Sequence, residues 1–415
     1  MIRILDLSGG KAFVESRKTN PDSVADVVRP ILNAVRDEGD AAVLRYGRQL
    51  DGLADQPLRV PPSELAAALD AMPGNVRQAA ELAAANIREY AKLQLPREKF
   101  EEVAPGRKLG WVVRPLDAVG CYVPSGRYPL PSTLLMTAVL AQTAGVRRIC
   151  VTSPKPSREI LGCARMLGIE EVYRVGGAQA IAAMAFGTET IPRVDRIVGP
   201  GNAYVAEAKK LLAGEVGIDF LAGPTEILIL AAEGDAKVIA ADMLAQAEHD
   251  VTASAILITT SEGLAKGVAA QLEEQLRTLS TAEVARVSVE NSSAIIVVPT
   301  MEAGLELSNW IAPEHLSLHD PSLLAHIRNA GTVFLGQNSP ESAGDYAAGP
   351  SHVLPTGGAA RLRGGLSSAD FVKLIAVQEL SPSALAELVP AITTLARVEG
   401  LEAHARSVEV RCTRE

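Results

Sequence analysis

Residues 225–260 have the sequence TEILILAAEGDAKVIAADMLAQAEHDVTASAILITT, in which two short apolar runs flank a helix-length segment. Both runs are rich in β-branched residues and nearly free of polar ones, which is typical of strands buried on both faces. Because the intervening segment is long enough for a crossover helix, the stretch predicts two parallel strands with a helix covering them.

The same alternation continues on both sides of this stretch. Further short apolar runs, bounded by Gly, Pro, Ser or charged residues, are RICVTS (148–153), EVYRV (171–175), DRIVG (195–199), AIIVVP (294–299) and GTVFLG (331–336). Helix-length segments separate most of these runs, and the runs fall into two clusters. We therefore predict an α/β fold with two doubly wound, incomplete Rossmann-like parallel-sheet domains.

The first part of the chain has a helical pattern instead. Residues 24–35 carry apolar side chains at spacings of three and four, with Asp22 and Ser23 as start signals and Gly39 as a stop signal. A second helix is expected over about 75–93. The first ~100 residues are accordingly predicted to be mostly helical.

Two other segments complete the predicted fold. Residues 108–124, KLGWVVRPLDAVGCYVP, are typical of extended structure. The last ~35 residues, from about Ser381, have only helical patterns, so a small helical C-terminal tail is expected.

Composition narrows the function classes. The chain has 415 residues, of which 47% are hydrophobic and 21% charged, which is typical of a well-buried protein with two or three domains. The net charge of −9, without a long basic run, argues against a nucleic-acid partner. The four cysteines, Cys121, Cys150, Cys163 and Cys412, lack CxxC spacing, which indicates a reducing compartment and excludes a zinc ribbon.

No secretion signal or membrane-spanning run is recognisable. The N-terminal residues MIRILDLSGGKAF contain no apolar signal core, and apolar runs such as TEILILAA end near eight residues. A cytoplasmic protein without a membrane partner is therefore expected.

An adjacent carboxylate and imidazole, Glu314 and His315, follow Pro313 in the stretch NWIAPEHLSLH (309–319). The chain has only six histidines, so this pair is a candidate for acid–base chemistry in a non-helical loop. The alternative interpretation is a buried turn held by an ion pair.

Three other segments contain residues that could ligate a metal. Gln246 and His249 are three apart and would share one helix face, where they could hold two positions of a zinc site. A histidine stabilised at a helix C-terminus is the alternative. Asp345 lies in a loop rich in Gly, Ser and Pro, and loops often carry function. His404 lies on an expected helix together with Glu399, where an ordinary solvated face is the alternative.

Glycine-rich junctions form the last group of candidates. Gly199, Pro200, Gly201 and Asn202 lie between an expected strand and an expected helix, where backbone amides could bind a phosphate. The stretches YVPSGRYPLPST (122–133) and VGGAQAIAA (175–183) are similar junctions. Ordinary tight turns are the alternative interpretation of all three.

Taken in order, these motifs resemble the histidinol dehydrogenase family over nearly the whole chain. The matching stretches are YVPSGRYPLPST, VGGAQAIAAMAFGTETIPRVDRIVGPGNAYVAEAK, IDFLAGPTEILILA, AQAEHD, APEHL, SPESAGDYAAGPSHVLPT and VEGLEAHA. Two positions depart from the usual pattern: Ser125 replaces a glycine, and Thr225 stands where serine is usual.

The resemblance implies a reaction and a set of site residues. The expected activity is NAD-dependent oxidation of L-histidinol to L-histidine through L-histidinal, with two NAD reduced and one zinc ion per subunit. The implied zinc ligands are Gln246, His249, Asp345 and His404, and the implied catalytic pair is Glu314 and His315. The implied substrate contacts are Thr225, His352 and Glu399, together with His315 and the zinc ligands; the implied NAD contacts are Tyr122, Gln179 and Asn202.

The resemblance also implies an assembly. A homodimer is expected in which the tail, residues 381–415, completes the active site of the partner. Residues 1–120 with 226–380 would form the zinc and catalytic domain, and residues 121–225 the NAD domain.

The chemistry assigns different tasks to the catalytic pair. His315 is the natural general base for oxidation of the alcohol, and Glu314 can activate the water that adds to the aldehyde. Zinc would act as a template that grips the imidazole and amine of the substrate. The sequence leaves three alternatives open: a related dehydrogenase for another small polyol, a zinc hydrolase without a nucleotide, and a non-enzymatic binding protein.

Overall fold

The structure is a computed structural model that describes residues 1–17, 24–54, 56–125, 128–220 and 223–412. The chain divides into two compact units. The first unit comprises Met1–Gln94 and Asp117–Phe371, and the second comprises Leu95–Leu116 and Val372–Glu415. Asp22 and Ser23, the expected helix-start signals, lie outside the described residues.

Helices and strands alternate through most of the first unit. Its helices are α1 (Leu7–Ser16), α2 (Ala25–Glu38), α3 (Asp40–Tyr46), α4 (Pro62–Asp70), α5 (Gly74–Gln94), α6 (Pro131–Thr143), α7 (Arg158–Met166), α8 (Gly177–Phe186), α9 (Ala203–Leu212), α10 (Ala236–Ala247), α11 (Glu262–Leu276), α12 (Ala282–Asn291), α13 (Met301–Ile311) and α14 (Glu341–Tyr346). A π-helical turn (Gly47–Asp51) and 3₁₀ turns (Pro321–His326, Ala359–Arg361 and Ser368–Phe371) add to these. The second unit contains α15 (Pro382–Val398) and α16 (Glu402–Cys412).

The strands form three sheets in the described part of the chain. In chain order they are β1 (Arg3–Asp6), β2 (Lys99–Ala104), β3 (Arg107–Pro115), β4 (Ala118–Tyr122), β5 (Arg148–Thr152), β6 (Glu171–Tyr173), β7 (Arg196–Val198), β8 (Gly217–Ile218), β9 (Glu226–Leu230), β10 (Ser254–Thr259), β11 (Ala294–Val297), β12 (His315–Leu318), β13 (Thr332–Leu335) and β14 (Val372–Leu380). Sheet A has the order β1-β11-β10-β9-β12-β13, sheet B the order β6-β5-β4-β7-β8, and sheet C the order β14-β3-β2.

Sheets A and B are parallel and share one strand order. Starting from β4 in sheet B and from β9 in sheet A, both follow the order 3-2-1-4-5, and β1 extends sheet A at one edge. This is the order of an incomplete Rossmann sheet, and it reverses direction between the first and fourth strands. The predicted α/β class with two doubly wound parallel sheets is thus confirmed.

Apolar side chains cover both faces of these sheets, as the apolar strand runs require. On sheet A one core contains Ile227 and Leu257 with helices α10 and α11, and the other contains Leu228 and Ile256 with α1 and α13. The core of sheet B includes residues of α2, α8 and α9. The N-terminal helix α2 therefore packs with sheet B, although it precedes that sheet by about 80 residues of chain.

The second unit has a different architecture. Sheet C is antiparallel, with β3 paired to β2 on one side and to β14 on the other, and α15 and α16 pack together after it. The helical C-terminal end was expected. Sheet C was not expected, although one of its strands, β3, lies in the segment 108–124 that was predicted to be extended. No helix among the residues described is both long and apolar enough to cross a membrane.

The predicted elements were incomplete in other ways. The seven apolar runs all contain strands, and the two N-terminal helices are present as α2 and α5. The prediction that the first ~100 residues are mostly helical was wrong at both ends of that segment, where the strands β1 and β2 lie. Pro30 is accommodated inside α2, and Gly39 ends that helix with a φ of 57°, which glycine adopts without steric cost.

Helix α2 offers a matched test of this packing. Val28 is fully buried against the core of sheet B, whereas the neighbouring Val27 is 55% exposed. We expect Val28→Ala to lower the free energy of unfolding by about 2 kcal/mol, because two buried methyl groups are lost and a cavity remains. Val27→Ala carries the same change in helix propensity and should stay within about 0.5 kcal/mol of the parent. Equal effects of the two variants in urea denaturation would contradict the assigned helix face.

Candidate functional site

The candidate site begins where two neighbouring strands of sheet A start. Strand β12 pairs with β9 in parallel, with His315 opposite Ile227. This register brings Thr225 and Glu226 beside Glu314 and His315 at the amino edge of the sheet. The loop expected around the pair was wrong in part: Glu314 precedes the strand directly, and His315 is its first residue.

Glu314 is buried and held by two donors. Its Oε2 accepts hydrogen bonds from the Thr225 hydroxyl at 2.7 Å and from the backbone N–H of Glu226 at 2.8 Å. Desolvation outweighs these bonds and raises the pKa of Glu314 well above its usual value. Because both bonds go to Oε2, Oε1 is the oxygen left to face a water or substrate.

His315 is also buried, with its two ring nitrogens in different environments. Nδ1 lies 3.1 Å from the backbone carbonyl of Glu226, which can only accept, so Nδ1 carries the proton. Nε2 is then the unprotonated nitrogen, and it is buried without a hydrogen-bond partner. Burial lowers the pKa of His315 to about 3, so the ring is neutral at physiological pH.

A cluster of potential metal ligands lies beside the pair. His249, Glu341 and Asp345 place their ligand atoms within 4.8 Å of one another. His249 Nε2 is 3.8 Å from Asp345 Oδ2, and His315 Nε2 is 3.7 Å from Asp345 Oδ1. Burial raises the pKa of Asp345 to about 6. The structure thus brings two of the predicted zinc ligands, His249 and Asp345, together next to His315.

Gln246 joins the same cluster from the last turn of α10. With its amide oriented to suit both neighbours, the nitrogen donates to Glu341 and the oxygen lies 3.0 Å from the Thr225 hydroxyl. That hydroxyl has a single proton, and its shorter contact, 2.7 Å, is with Glu314. The Gln246 oxygen therefore keeps lone pairs for a cation.

Asp345 and His352 are linked through the backbone. Asp345 lies on the short helix α14, where a loop had been expected, and His352 lies in the loop that follows. His352 Nδ1 donates to the Asp345 carbonyl at 2.9 Å, and its Nε2 accepts from the Thr133 hydroxyl at 3.2 Å. Burial lowers the pKa of His352, so this ring is neutral as well.

Two cavities meet at this cluster. The first, called the polar cavity, has a volume of about 360 Å³ and is lined by Thr225, Glu314, His315, Asp345 and His352 together with Pro200 and Gly201 of the glycine-rich junction. The second, called the apolar cavity, has a volume of about 530 Å³ and is lined by alanines of α5 and, at one end, by His249, Glu341 and Asp345. Neither cavity has a lysine or arginine among its described lining residues.

The predicted NAD contacts lie at the carboxyl edge of sheet B. Tyr122 ends β4, and its hydroxyl accepts from the backbone N–H of Gly177 at 3.2 Å. Asn202 caps α9, with its Oδ1 accepting from the N–H of Val205 at 3.1 Å. The reversal of strand order in sheet B lies between β4 and β7, directly before these residues, and ligands of such sheets bind at that point.

Gln179 is fully buried behind this edge. Its amide nitrogen donates to Asp51 at 3.0 Å, while its oxygen is buried without a hydrogen-bond partner. Ser125, one of the two departures from the family pattern, accepts a hydrogen bond from the N–H of Lys155 at 3.0 Å. Its hydroxyl therefore ties the loop after β4 to the loop after β5.

Glu399 and His404 belong to the second unit. They do not share one helix: Glu399 is the C-cap of α15, His404 lies on α16, and Gly400, with a φ of 75°, lies between the two helices. Both side chains are exposed. The predicted site residues that the structure groups around Asp345 all belong to the first unit.

The sequence patterns missed three residues of the site. Glu226 supplies both the N–H that binds Glu314 and the carbonyl that binds His315. Its position as a charged residue at the start of an apolar strand was the sequence feature that could have indicated a role in the site. Glu341 is four residues before Asp345 on one helix, a spacing that places two carboxylates on the same face. Thr133 gave no such signal.

Comparison with known proteins identifies the family. The family model of histidinol dehydrogenase matches residues 14–412. Histidinol dehydrogenase of Agrobacterium fabrum is 46% identical over 414 residues, covering 97% of this chain and 96% of that protein. The corresponding protein of Methanothermobacter thermautotrophicus is 44% identical, with 96% of each chain covered.

A solved structure agrees with the sequence comparison. Histidinol dehydrogenase from Elizabethkingia anophelis superposes with a TM-score of 0.94 at 35% identity, covering 99% of this chain and 98% of that one. An acetylating aldehyde dehydrogenase from Geobacillus thermoglucosidasius, with a TM-score of 0.50 at 13% identity, shares the fold alone. On these grounds the chain belongs to the histidinol dehydrogenase family.

Proposed function

We propose that the chain oxidises L-histidinol to L-histidine through L-histidinal, with two NAD molecules accepting the two hydrides in succession. The observation that carries this proposal is the polar cavity. One wall contains Glu314 and His315, and the other contains the glycine-rich junction at the point where sheet B reverses its strand order. A hydride-transfer enzyme needs an acid–base pair and a dinucleotide-binding sheet edge that face the same cavity.

The residues around Asp345 fit a zinc ion. Gln246, His249 and Asp345 offer one amide oxygen, one imidazole nitrogen and one carboxylate oxygen, and His404 of the partner subunit would complete four ligands. The 3.8 Å between His249 Nε2 and Asp345 Oδ2 is close to the ~3.3 Å between neighbouring ligands of a tetrahedral site. When bound, zinc would supply a positive charge that orients the imidazole and amine of the substrate.

His315 is the proposed general base for the alcohol step. Burial keeps its ring neutral and the Glu226 carbonyl fixes the proton on Nδ1, so Nε2 carries the lone pair that would accept the hydroxyl proton. The orphaned position of Nε2 in the cavity wall supports this assignment.

Glu314 is the proposed base for the aldehyde step. Its raised pKa makes the carboxylate a stronger base than an exposed glutamate, and Oε1 is left for the water that must lose a proton. Thr225, a proposed substrate contact, also holds Oε2 in place, so its hydroxyl serves the catalytic pair directly. His352 is proposed as a further substrate contact on the same cavity.

Tyr122, Gln179 and Asn202 are the proposed NAD contacts. All three lie at or behind the carboxyl edge of sheet B, where the amino end of α9 also points its N–H groups. We further propose that residues 121–225 form the NAD domain and that residues 1–120 with 226–380 form the zinc and catalytic domain. A cytoplasmic location remains a prediction.

A homodimer with a shared active site is part of the proposal. The second unit exposes large apolar side chains, among them Leu374, Ile375, Leu395 and Val398, which is unusual for a surface that faces only water. Beside His249 and Asp345 the apolar cavity leaves room for residues of another chain. Glu399 and His404, exposed on the tail, would reach the partner's substrate and zinc in this way.

Separate assays of the two oxidations test the catalytic pair. Supplied with L-histidinol, His315→Asn should lose roughly 100-fold or more in the rate of the first hydride transfer. Supplied with L-histidinal directly, Glu314→Gln should lose a similar factor while retaining more of the alcohol step. His326→Asn, which changes an exposed histidine, is the control and should be fully active. Equal losses of both steps in Glu314→Gln would refute the division of tasks.

Removal of the metal tests the template role. Chelation should abolish NADH formation from L-histidinol, and readdition of Zn²⁺ should restore it. Circular dichroism should stay unchanged, because the hydrophobic cores of sheets A and B do not involve the ligands. Full turnover by protein shown to be metal-free would refute the role of zinc.

Mixing two inactive variants tests the shared site. His315→Asn and His404→Ala are each expected to be inactive as homodimers. If each site combines His315 of one chain with His404 of the other, re-equilibrated mixtures should regain about a quarter of parental activity through heterodimers. A mixture that stays inactive, with heterodimers demonstrated by native mass spectrometry, would contradict the shared site.

A further inference from the structure

A buried ion pair lies directly beneath the glycine-rich junction. Lys209, on α9, places its Nζ 2.5 Å from Oδ1 of Asp219, and both side chains are almost inaccessible to solvent. Replacing a buried pair of this kind by apolar residues of similar size is often neutral or stabilising. Net stability therefore does not explain the pair, and its contacts must be considered individually.

Both members of the pair bind the backbone of one residue, Gly199. Asp219 Oδ2 accepts the Gly199 N–H at 2.8 Å, and Lys209 Nζ donates to the Gly199 carbonyl at 2.7 Å. Gly199 has a φ of 112°, and a Cβ atom there would come within 2.2 Å of the Tyr122 carbonyl oxygen. Both backbone polar groups of Gly199 are thus bound by charged side chains, and Gly199 packs against the end of β4.

The pair is anchored on its far side as well. Asp219 Oδ1 also accepts the N–H of Phe220 at 2.7 Å. Arg363 donates to the Asp219 backbone carbonyl at 2.8 Å and pairs with Asp370 at 2.6 Å. Asp219 is therefore a rigid support, and it is not free to follow movement of the junction.

The junction that the pair holds leads straight into the polar cavity. Pro200 and Gly201, the residues after Gly199, line that cavity together with Glu314 and His315. Asn202 then caps α9, the helix that carries Lys209 about two turns later. A small shift of Gly199 would move these lining residues relative to the catalytic pair.

We propose that Lys209 and Asp219 are positioning residues for the dinucleotide, which fix Gly199 so that the junction 199–202 presents its backbone to the cofactor at a set distance from His315. This inference rests on the proposed NAD-dependent oxidation. Neither side chain would touch the cofactor, because both are covered by the junction.

The test is a comparison of Michaelis constants. Lys209→Met leaves Asp219 unpaired and risks misfolding, so the principal variant is the double change Lys209→Met with Asp219→Asn, which removes both charges and keeps an acceptor for the Gly199 N–H. We expect its KM for NAD to rise by about tenfold or more, since a charge-assisted hydrogen bond to the junction is lost, while its KM for L-histidinol changes less than about twofold.

The adjacent lysine supplies the matched control. Lys210 is exposed and contacts only Glu207 among its described ion pairs, so Lys210→Met should leave both Michaelis constants and kcat unchanged. The dissociation constant of NAD, measured by calorimetry without substrate, should follow the KM for NAD in every variant. Circular dichroism and thermal unfolding would verify that each variant is folded.

The outcomes separate this inference from the proposed function. A parent protein that forms no NADH from L-histidinol would refute the proposed function itself. An active parent whose folded variants have unchanged affinity for NAD, or lose kcat with both Michaelis constants unaltered, would overturn the positioning role. Reduced thermal stability with normal NAD binding would likewise show that the pair is structural only.

Discussion

The parallel pairing of β12 with β9 is the contact on which the geometry of the candidate site depends. It sets the Thr225–Glu226 backbone beside Glu314 and His315. The backbone of Glu226 then forms a hydrogen bond with each of them: its N–H donates to the Glu314 carboxylate, and its carbonyl accepts from the His315 ring. In a strand, a slip by one residue sends every side chain to the opposite face. The apolar residues that follow in both strands therefore fix the register, and the register in turn fixes the protonation pattern of the pair.

Sheets A and B use one strand order but contribute opposite edges to the polar cavity. Sheet B follows the general rule and offers the carboxyl ends of β4 and β7, next to the reversal of its strand order. Sheet A contributes the amino ends of β9 and β12 and the C-terminal end of α10, which carries Gln246 and leads to His249. In the proposed reaction, one of these two similar sheets would hold the electron acceptor and the other the acid–base groups.

The sequence predicted the parts of this arrangement that follow from apolar periodicity. The long apolar runs identified the central strands of both sheets, because a strand buried on both faces tolerates few polar residues. Strand β12 was missed because its four residues begin with His315 and include Ser317, so they do not form an apolar run. Helix α14 was missed because its six residues lie among Gly, Ser and Pro. The pairing of Gln246 with His249 followed from their spacing of three, whereas their approach to Asp345 is a long-range contact that local patterns do not encode.

The meeting of the polar and apolar cavities at His249 and Asp345 has a consequence for inhibitor design. A compound with a metal-chelating head group beside Asp345 could extend an aliphatic arm along Ala79, Ala80 and Ala83 of α5. Such a molecule would gain affinity from surface that the small, polar substrate does not need to contact. In the proposed homodimer it would also compete with the neighbouring chain for that space, so its potency would depend on protein concentration in a way that substrate analogues do not show.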